Sequence, residues 1–219
     1  MSGSSTTGVP GAGGRTGRPP LTERRKAATR LEIARVAIDL FTAQGVAATS
    51  ADQIAEAVGI STRTLSRYFP SKEACVWPLL TAGIEVTARW LRAWSPGRAL
   101  ADVLDAPEDA DDGAPTLQVP QDTAAVLALA RLTRTEPKLR AVWLQALADA
   151  EPVFAHALAQ RAGLPADDPD SRLQAAMVNG ALRAAIEQHA WNSTPETDDT
   201  SLFTPLRTAL LAAARGLPD

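Results

Sequence analysis

The sequence predicts an all-α protein, and three observations support this prediction. Ala and Leu supply 68 of the 219 residues, whereas Val and Ile together supply 18. Helices favour Ala and Leu, while strands favour β-branched and aromatic side chains, and aromatic residues make up only 5%. Between Gly and Pro breaks, apolar residues recur at helical spacing. With 45% hydrophobic residues the chain can form a core, and we expect about nine helices.

The amino-terminal segment, residues 1–21, is predicted to be a flexible arm. Residues 1–20 contain six Gly, three Pro and six Ser or Thr, so they cannot bury enough apolar surface to become ordered. The arm carries two positive charges, Arg15 and Arg18.

Three helices follow the arm, each with a start or stop signal. Thr22 is a candidate N-cap for the first, whose apolar positions precede a stop at Gly45. A capping-box spacing, Ser50 with Gln53, predicts a second helix over 51–58. Ser61 caps a third over 62–69, and Pro70 stops it.

The remaining helices are longer. Ser71 caps a fourth helix that runs to about residue 94, with Pro78 inside it, where a missing hydrogen bond would permit a hinge. After an acidic loop, 105–120, Pro137 occupies a favourable first-turn position. The other predicted helices span 98–104, 121–135, 137–162, 170–191 and from 201 or 205 to 215.

Residues 51–70 carry the spacing of a helix-turn-helix motif. This motif needs a small residue where its helices touch, a Gly in the turn and apolar residues that lock the pair. The sequence fills all seven positions: Ile54, Ala55, Val58, Gly59, Ile60, Leu65 and Tyr68.

The stretch from Gly45 through TSADQIAEAVGISTRTLSRYFPSKEACV resembles the amino-terminal domain of the TetR (tetracycline-repressor) family of bacterial transcription regulators. The match covers about residues 24–76. It includes the Thr49-Ser50 cap, Gly59-Ile60-Ser61 and Ser71-Lys72-Glu73. At Ser66 the family commonly has Tyr, so a DNA contact made by that Tyr is not expected here. The resemblance implies a homodimer on a near-palindromic operator, usually a repressor that a small molecule releases.

Residue chemistry predicts which side chains contact double-stranded DNA. The amino-terminal end of a recognition helix enters the major groove, so Thr62, Arg63 and Thr64 are candidates for base contacts. Candidates for phosphate contacts are Thr49, Ser50, Arg67, Tyr68 and Lys72. Arg15, Arg18, Arg24 and Arg25 are further candidates for backbone or minor-groove contacts. We therefore expect residues 22–70 to bind DNA and residues 71–219 to bind a ligand and to dimerise.

The charge distribution agrees with this division. Residues 1–80 carry 10 Lys and Arg against 6 Asp and Glu, net +4, whereas residues 81–219 carry 12 against 19, net −7. A basic module on an acidic remainder is typical of a nucleic-acid binder joined to another unit.

Other functional classes have little support. The single Cys, Cys75, excludes a disulfide framework and is expected to be a core thiol. Neither His156 nor His189 has a partner at metal-ligand spacing. We expect no catalytic residues, no metal, no cofactor, no membrane span and a cytoplasmic location.

The carboxy-terminal part contains candidates for a ligand pocket and for a dimer face. Bulky side chains among many Ala residues predict an apolar pocket at Trp90, Trp94, Trp143, Leu147 and Phe154. Small residues recur every four positions at Ala176, Gly180 and Ala184, so two helices could approach closely there. The predicted homodimer face comprises Leu173, Ala176, Met177, Gly180, Ala184, Leu206 and Leu210.

Two alternatives stay open at this point. One is a helical DNA-binding protein that responds to no ligand. The other is a helical enzyme in which the helix-turn-helix pattern is incidental. Release of operator DNA by a compound would argue against the first, and loss of DNA binding in variants of residues 51–70 would argue against the second.

Overall fold

A computed structural model of the chain describes residues 21–94, 97, 122–192 and 202–214. Within these ranges it contains eight α-helices, one 3₁₀ turn and no strand, in agreement with the predicted all-α class. Residues 1–20 of the predicted arm, the predicted helix 98–104 and the acidic loop lie outside the described residues, and Leu21, the last residue of the predicted arm, is the first of α1. The α-helices are α1 (Leu21–Gln44), α2 (Ala51–Val58), α3 (Thr62–Tyr68), α4 (Trp77–Ala93), α5 (Thr123–Leu132), α6 (Pro137–Ala162), α7 (Pro169–Asn192) and α8 (Phe203–Ala214).

The segment between α3 and α4 differs from the prediction. Ser71 does act as a cap, because its hydroxyl accepts a hydrogen bond from the amide of Ala74 at 3.1 Å. It precedes a 3₁₀ turn, Glu73–Val76, and the α-helix starts only at Trp77. Pro78 therefore lies in the first turn of α4, where an amide has no helical acceptor to lose. The prediction of a hinge at a proline inside this helix is wrong.

The helices pack into one bundle with the amino-terminal unit at one end. α6 packs against α4 and α7, α8 packs against α7, and α5 contacts α7 and α1. The larger apolar core begins in the helix-turn-helix with Ile54 and Leu65 and continues to Leu127, Trp143 and Leu206. This core crosses the predicted boundary at residue 70, so the two units share buried side chains. A second core, at the far end of α4, contains Trp90, Trp94, Phe154 and Leu210.

No helix among the described residues is long and apolar enough to cross a membrane.

Candidate functional site

The helix-turn-helix is fixed by local capping interactions. The hydroxyl of Ser50 accepts from the amide of Gln53 at 3.2 Å, and the Gln53 side chain accepts from the amide of Ser50 at 2.8 Å. The turn between α2 and α3 requires Gly59, whose φ of +74° lies in the left-handed region that favours glycine. Ser61 then caps α3 by accepting from the amide of Thr64 at 3.2 Å. The predicted capping box and turn glycine are therefore present in the structure.

The short helix α3 separates its side chains into an inner and an outer face. Leu65 and Phe69 are buried, as expected, and they hold the helix against the core. Arg63, Ser66 and Arg67 are exposed. Arg63 makes no hydrogen bond or ion pair with the described residues, so its guanidinium is free to contact another molecule. A single exposed face with a free arginine is the arrangement that a helix needs to read a groove.

The two threonines predicted to contact bases already have neighbours within the protein. The Thr62 hydroxyl donates to Asp52 at 2.5 Å, which links the start of α3 to the first turn of α2. The Thr64 hydroxyl lies 2.9 Å from the hydroxyl of Ser61. Both threonines are half-buried. Each contact with a base would thus share or replace an internal hydrogen bond.

Thr49 does not have the environment that a phosphate contact requires. Its side chain is buried, and its hydroxyl donates to the carbonyl of Gly45 at 2.9 Å while the Gln44 amide donates to it at 3.2 Å. Its own amide donates to the carbonyl of Val46 at 3.3 Å. This corrects the prediction for Thr49: its polar groups close the loop between α1 and α2. Ser50, the next residue, is exposed at the start of α2.

Lys72 has a role that the sequence pattern does not reveal. Its ammonium donates to the carbonyls of Val46 and Thr49 at 2.5 and 2.6 Å, and its side chain is half-buried. Lys72 therefore joins the loop before α2 to the segment after α3. An ammonium has three donors, so one is left for a phosphate. No local signal predicts this bond, because its partners lie 26 and 23 residues earlier in the chain.

Tyr68, at the end of α3, lies close to two cations. The guanidinium of Arg30 is 5.3 Å from the centre of the Tyr68 ring, and that of Arg67 is 5.5 Å away. Cations over a ring face are attracted by its quadrupole. The three side chains form a basic aromatic cluster beside the exposed face of α3, and α1 contributes Arg30, a residue absent from the predicted DNA contacts.

A cavity of about 130 Å³ lies in the carboxy-terminal bundle among α4, α5, α6, α7 and α8. Four of the five residues predicted to line a pocket are in its wall: Trp90, Trp143, Leu147 and Phe154. Trp94 is buried outside this wall, where its ring stacks on Trp90 with centroids 6.4 Å apart and lies 3.7 Å below the Arg161 guanidinium. Burial lowers the pKa of Arg161 from its usual value. The lining residues that the sequence did not predict include Gly83, Thr123, Asn179, Arg183, Leu206 and Leu210.

The last two of these residues correct the predicted dimer face. Leu206 and Leu210 are 9% and 1% exposed and face the interior of the same chain, so they cannot lie on a surface between two chains. The apolar stripe of α8 covers the cavity instead. On α7 the predicted residues are accessible: Leu173 is 63% exposed, Gly180 and Ala184 are exposed, and Ala176 and Met177 are half-buried.

A buried carboxylate beside the cavity was also missed by sequence reasoning. Glu187 accepts from the indole nitrogen of Trp143 and from Nε of Arg183, both at 3.1 Å, and Arg140 is 3.7 Å away. Buried charges in proteins are normally paired in this way. Only the i, i+4 spacing of Arg183 and Glu187 was visible in the sequence. Among the described residues there is no group of three side chains suited to hold a metal ion.

Comparison with known proteins agrees with this geometry. The family model for bacterial regulatory proteins of the tetR family matches residues 33–76 of the sequence, and the family model for the MftR C-terminal domain matches residues 116–218. The chain belongs to the TetR family. It is 29% identical to the HTH-type transcriptional regulator TcmR of Streptomyces glaucescens over 94% of this chain and 92% of that protein.

Two further relatives show where the similarity is concentrated. A mycofactocin biosynthesis transcriptional regulator, MftR of Mycobacterium tuberculosis, is 50% identical over 54 residues, 25% of this chain and 27% of that protein. A crystal structure of a TetR-family regulator from Mesorhizobium loti superposes with a TM-score of 0.51 and 17% identity, covering 87% of this chain and 97% of that one. This last likeness concerns the fold. The protein is therefore a TetR-family, DNA-binding transcriptional regulator with the helix-turn-helix fold of its relatives.

Proposed function

We propose that the protein binds a near-palindromic operator as a homodimer and leaves it when a small, mainly apolar molecule occupies the cavity. In this proposal the protein acts by binding and not as an enzyme. The observation that supports it best is the exposed face of α3. On this face Arg63 is exposed, whereas Leu65 and Phe69 are buried against the core. The same helical bundle contains the cavity.

In the operator complex, α3 lies in the major groove. Arg63 contacts a base edge, with Thr62 and Thr64 beside it. Ser50 and Arg67 contact phosphates together with the free donor of Lys72 and the Tyr68–Arg30 cluster. The accessible stripe on α7, comprising Leu173, Ala176, Met177, Gly180 and Ala184, is the face that two chains share. A two-fold dimer then places two copies of α3 in successive major grooves about 34 Å apart.

Arg63 offers the sharpest test of this arrangement. A base contact is worth about 1–3 kcal/mol of discrimination, which is about a 5- to 150-fold change in affinity. We expect Arg63→Ala to weaken binding to an operator enriched from random duplexes by such a factor, and binding to random duplex by less than about threefold. Fluorescence anisotropy with both duplexes gives the two affinities.

Arg89 supplies the matched control, because it is also an exposed arginine and lies on α4, outside the helix-turn-helix. Arg89→Ala should leave both affinities unchanged. Equal losses on operator and random duplex for Arg63→Ala would assign Arg63 to phosphate contact, and an unchanged affinity would remove it from the interface.

A further inference from the structure

The wall of the cavity contains one charged side chain. Of the 21 described residues that line it, Arg183 is the only one with an ionisable side chain, and most of the others are apolar. Asn179, Leu182, Arg183 and Ile186 all line the cavity, and their spacing of i, i+3, i+4 and i+7 places them on one face of α7. The face of α7 that meets the cavity therefore carries a guanidinium.

The guanidinium of Arg183 is only partly used inside the protein. Its Nε donates to Glu187 at 3.1 Å, and its two terminal nitrogens bond to no described residue. The side chain is 38% exposed, so part of it is accessible to another molecule. Glu187 holds the planar group in place and leaves its terminal donors for another acceptor.

The charges around Glu187 are unbalanced. Two arginines, Arg183 at 3.1 Å and Arg140 at 3.7 Å, face one carboxylate, so among the described residues this group carries one more positive charge than negative. A second unused donor is present in the same wall: the buried indole nitrogen of Trp90 has no hydrogen-bond partner among the described residues. Three other polar groups of the wall have defined partners. The Thr87 hydroxyl donates to the carbonyl of Gly83 at 3.0 Å, the Asn179 amide nitrogen to the carbonyl of Leu147 at 2.8 Å, and the Trp143 indole nitrogen to Glu187 at 3.1 Å.

We infer that the ligand is an apolar molecule with one anionic acceptor, in the simplest case a carboxylate, which binds the terminal nitrogens of Arg183. The inference rests on the proposed function of the cavity as the ligand site. A guanidinium presents two parallel N–H groups that match a carboxylate. A cavity of about 130 Å³ is close to the roughly 150 Å³ cavity known to hold benzene, so the apolar part is about one aromatic ring or a short alkyl chain.

Two compounds of the same shape and different charge test this inference. We use 3-phenylpropionate and 3-phenylpropanamide, and measure their binding to the full-length protein by calorimetry. The wild type should bind the carboxylate at least about tenfold more tightly than the amide, as expected for a charge-assisted hydrogen bond. Arg183→Gln should remove this preference and change amide affinity by less than about threefold.

Arg140 gives the matched control, since it also faces Glu187 but does not line the cavity. Arg140→Gln should keep the preference for the carboxylate. Glu187→Gln should increase it, because the internal carboxylate no longer competes for Arg183. Circular dichroism checks that each variant is folded, and the two substitutions with opposite expected effects keep the test informative if one variant unfolds.

The inference is overturned if the wild type binds the amide as tightly as the carboxylate, if neither compound binds, or if the preference survives in Arg183→Gln. Operator release, measured in parallel, separates this failure from failure of the proposed function. If both compounds release the operator and bind with equal affinity, the inference of an anionic ligand is overturned, and the proposal that the cavity regulates DNA binding is retained. If the carboxylate binds more tightly than the amide but does not release the operator, the anion site at Arg183 is retained, and the proposal that the cavity regulates DNA binding is overturned.

Discussion

Lys72 connects the loop between α1 and α2 to the segment that follows α3. Because its ammonium satisfies the carbonyls of Val46 and Thr49, Lys72→Ala leaves two partly buried acceptors without this partner. We expect a loss of about 1–3 kcal/mol in the free energy of unfolding, measured by urea denaturation. Operator affinity and non-specific affinity should fall together, and the slope of log affinity against log salt should decrease by up to about one unit, since one donor remains for a phosphate.

Lys138 is the control for this substitution. Its side chain is 82% exposed and its ammonium is 3.9 Å from Glu73, so Lys138→Ala should change stability by less than about 1 kcal/mol. If Lys72→Ala flattened the salt slope without changing stability, Lys72 would be a phosphate contact alone.

Cys75 is buried, in agreement with the prediction of a core thiol. Burial, and next the nearby charge of Glu73, raise the pKa of this thiol to about 12. An unfolded thiol has a pKa of about 8.5, so above about pH 8.5 the unfolded chain loses a proton that the folded chain keeps. The free energy of unfolding should therefore fall as pH rises above about 8.5.

Cys75→Ala isolates this contribution, because it removes the thiol and keeps a small apolar side chain. Its stability should depend less steeply on pH between about 8.5 and 10.5 than that of the wild type, as measured by urea denaturation at each pH. In native protein at pH 8 the thiol should react with a maleimide far more slowly than in urea. Rapid labelling of native protein would contradict the buried position.

At the scale of elements, an ion pair links the amino-terminal unit to the cavity. Arg35 of α1 donates to both carboxylate oxygens of Asp122, at 2.5 and 3.1 Å. Asp122 is the N-cap residue of α5, yet its side chain makes no capping hydrogen bond. The next residue, Thr123, lines the cavity. A ligand that moves the first turn of α5 therefore acts directly on this pair, and Asp122 can cap α5 once it is released.

A releasing compound lowers the affinity for the operator by a certain factor, the coupling factor. We expect Asp122→Asn to change this coupling factor about threefold or more. The affinity for the operator in the absence of the compound should change by less than this factor of three. Lys26→Ala breaks a different ion pair of α1, with Glu23 at 2.8 Å, and should leave the factor unchanged. An unchanged factor in Asp122→Asn would exclude the pair from the coupling.

The features that the sequence predicts correctly depend on neighbours within about four residues. The capping box at Ser50, the stop at Gly59 and the start of α6 at Pro137 are of this kind. Amphipathic spacing shows which face of a helix is apolar but not what covers it. For this reason the sequence pattern predicts Leu206 and Leu210 on a dimer face, whereas in the structure they cover the cavity.

Interactions between distant positions leave no periodic trace in one sequence. Arg35 meets Asp122 across 87 positions, and Trp143 meets Glu187 across 44. The 3₁₀ turn before α4 likewise depends on packing against α1 and α6, which local propensity does not encode. The polar contacts of the candidate sites therefore appear only when the helices are packed together.

At the scale of the whole molecule, Gly180 gives a clean test of the proposed dimer. A Cβ atom built on Gly180 meets nothing within 4 Å, so a larger side chain is compatible with the fold of one chain. A Glu at this position would place a charge between two closely packed copies of α7, where no partner compensates it. Gly180→Glu should therefore be monomeric by sedimentation and keep its helix content.

Ala148→Glu is the control, because Ala148 is exposed on α6 outside the proposed face. It should stay dimeric. A dimer that persists in Gly180→Glu would move the interface away from this stripe.

The ligand and the operator should be linked through the bundle as a unit. The larger core extends from Ile54 and Leu65 in the helix-turn-helix to Trp143 and Leu206 at the cavity wall. We therefore expect a packing change at the cavity to reach the helix-turn-helix. Thermodynamics then requires that operator DNA weaken ligand binding by the same factor by which the ligand weakens operator binding. We expect this equality for any compound that releases the operator. Calorimetry and anisotropy, each with and without the other partner, give the two factors.

Pro78→Ala shows whether the coupling needs the proline. Because Pro78 lies in the first turn of α4, replacing it restores an amide that has no helical acceptor, and α4 keeps its hydrogen bonds. The coupling factor should therefore equal that of the wild type. A reduced factor in Pro78→Ala would instead place a flexible point at the junction of the 3₁₀ turn and α4. Unequal factors for ligand and operator in the wild type would contradict a single linked equilibrium and require a third state of the protein.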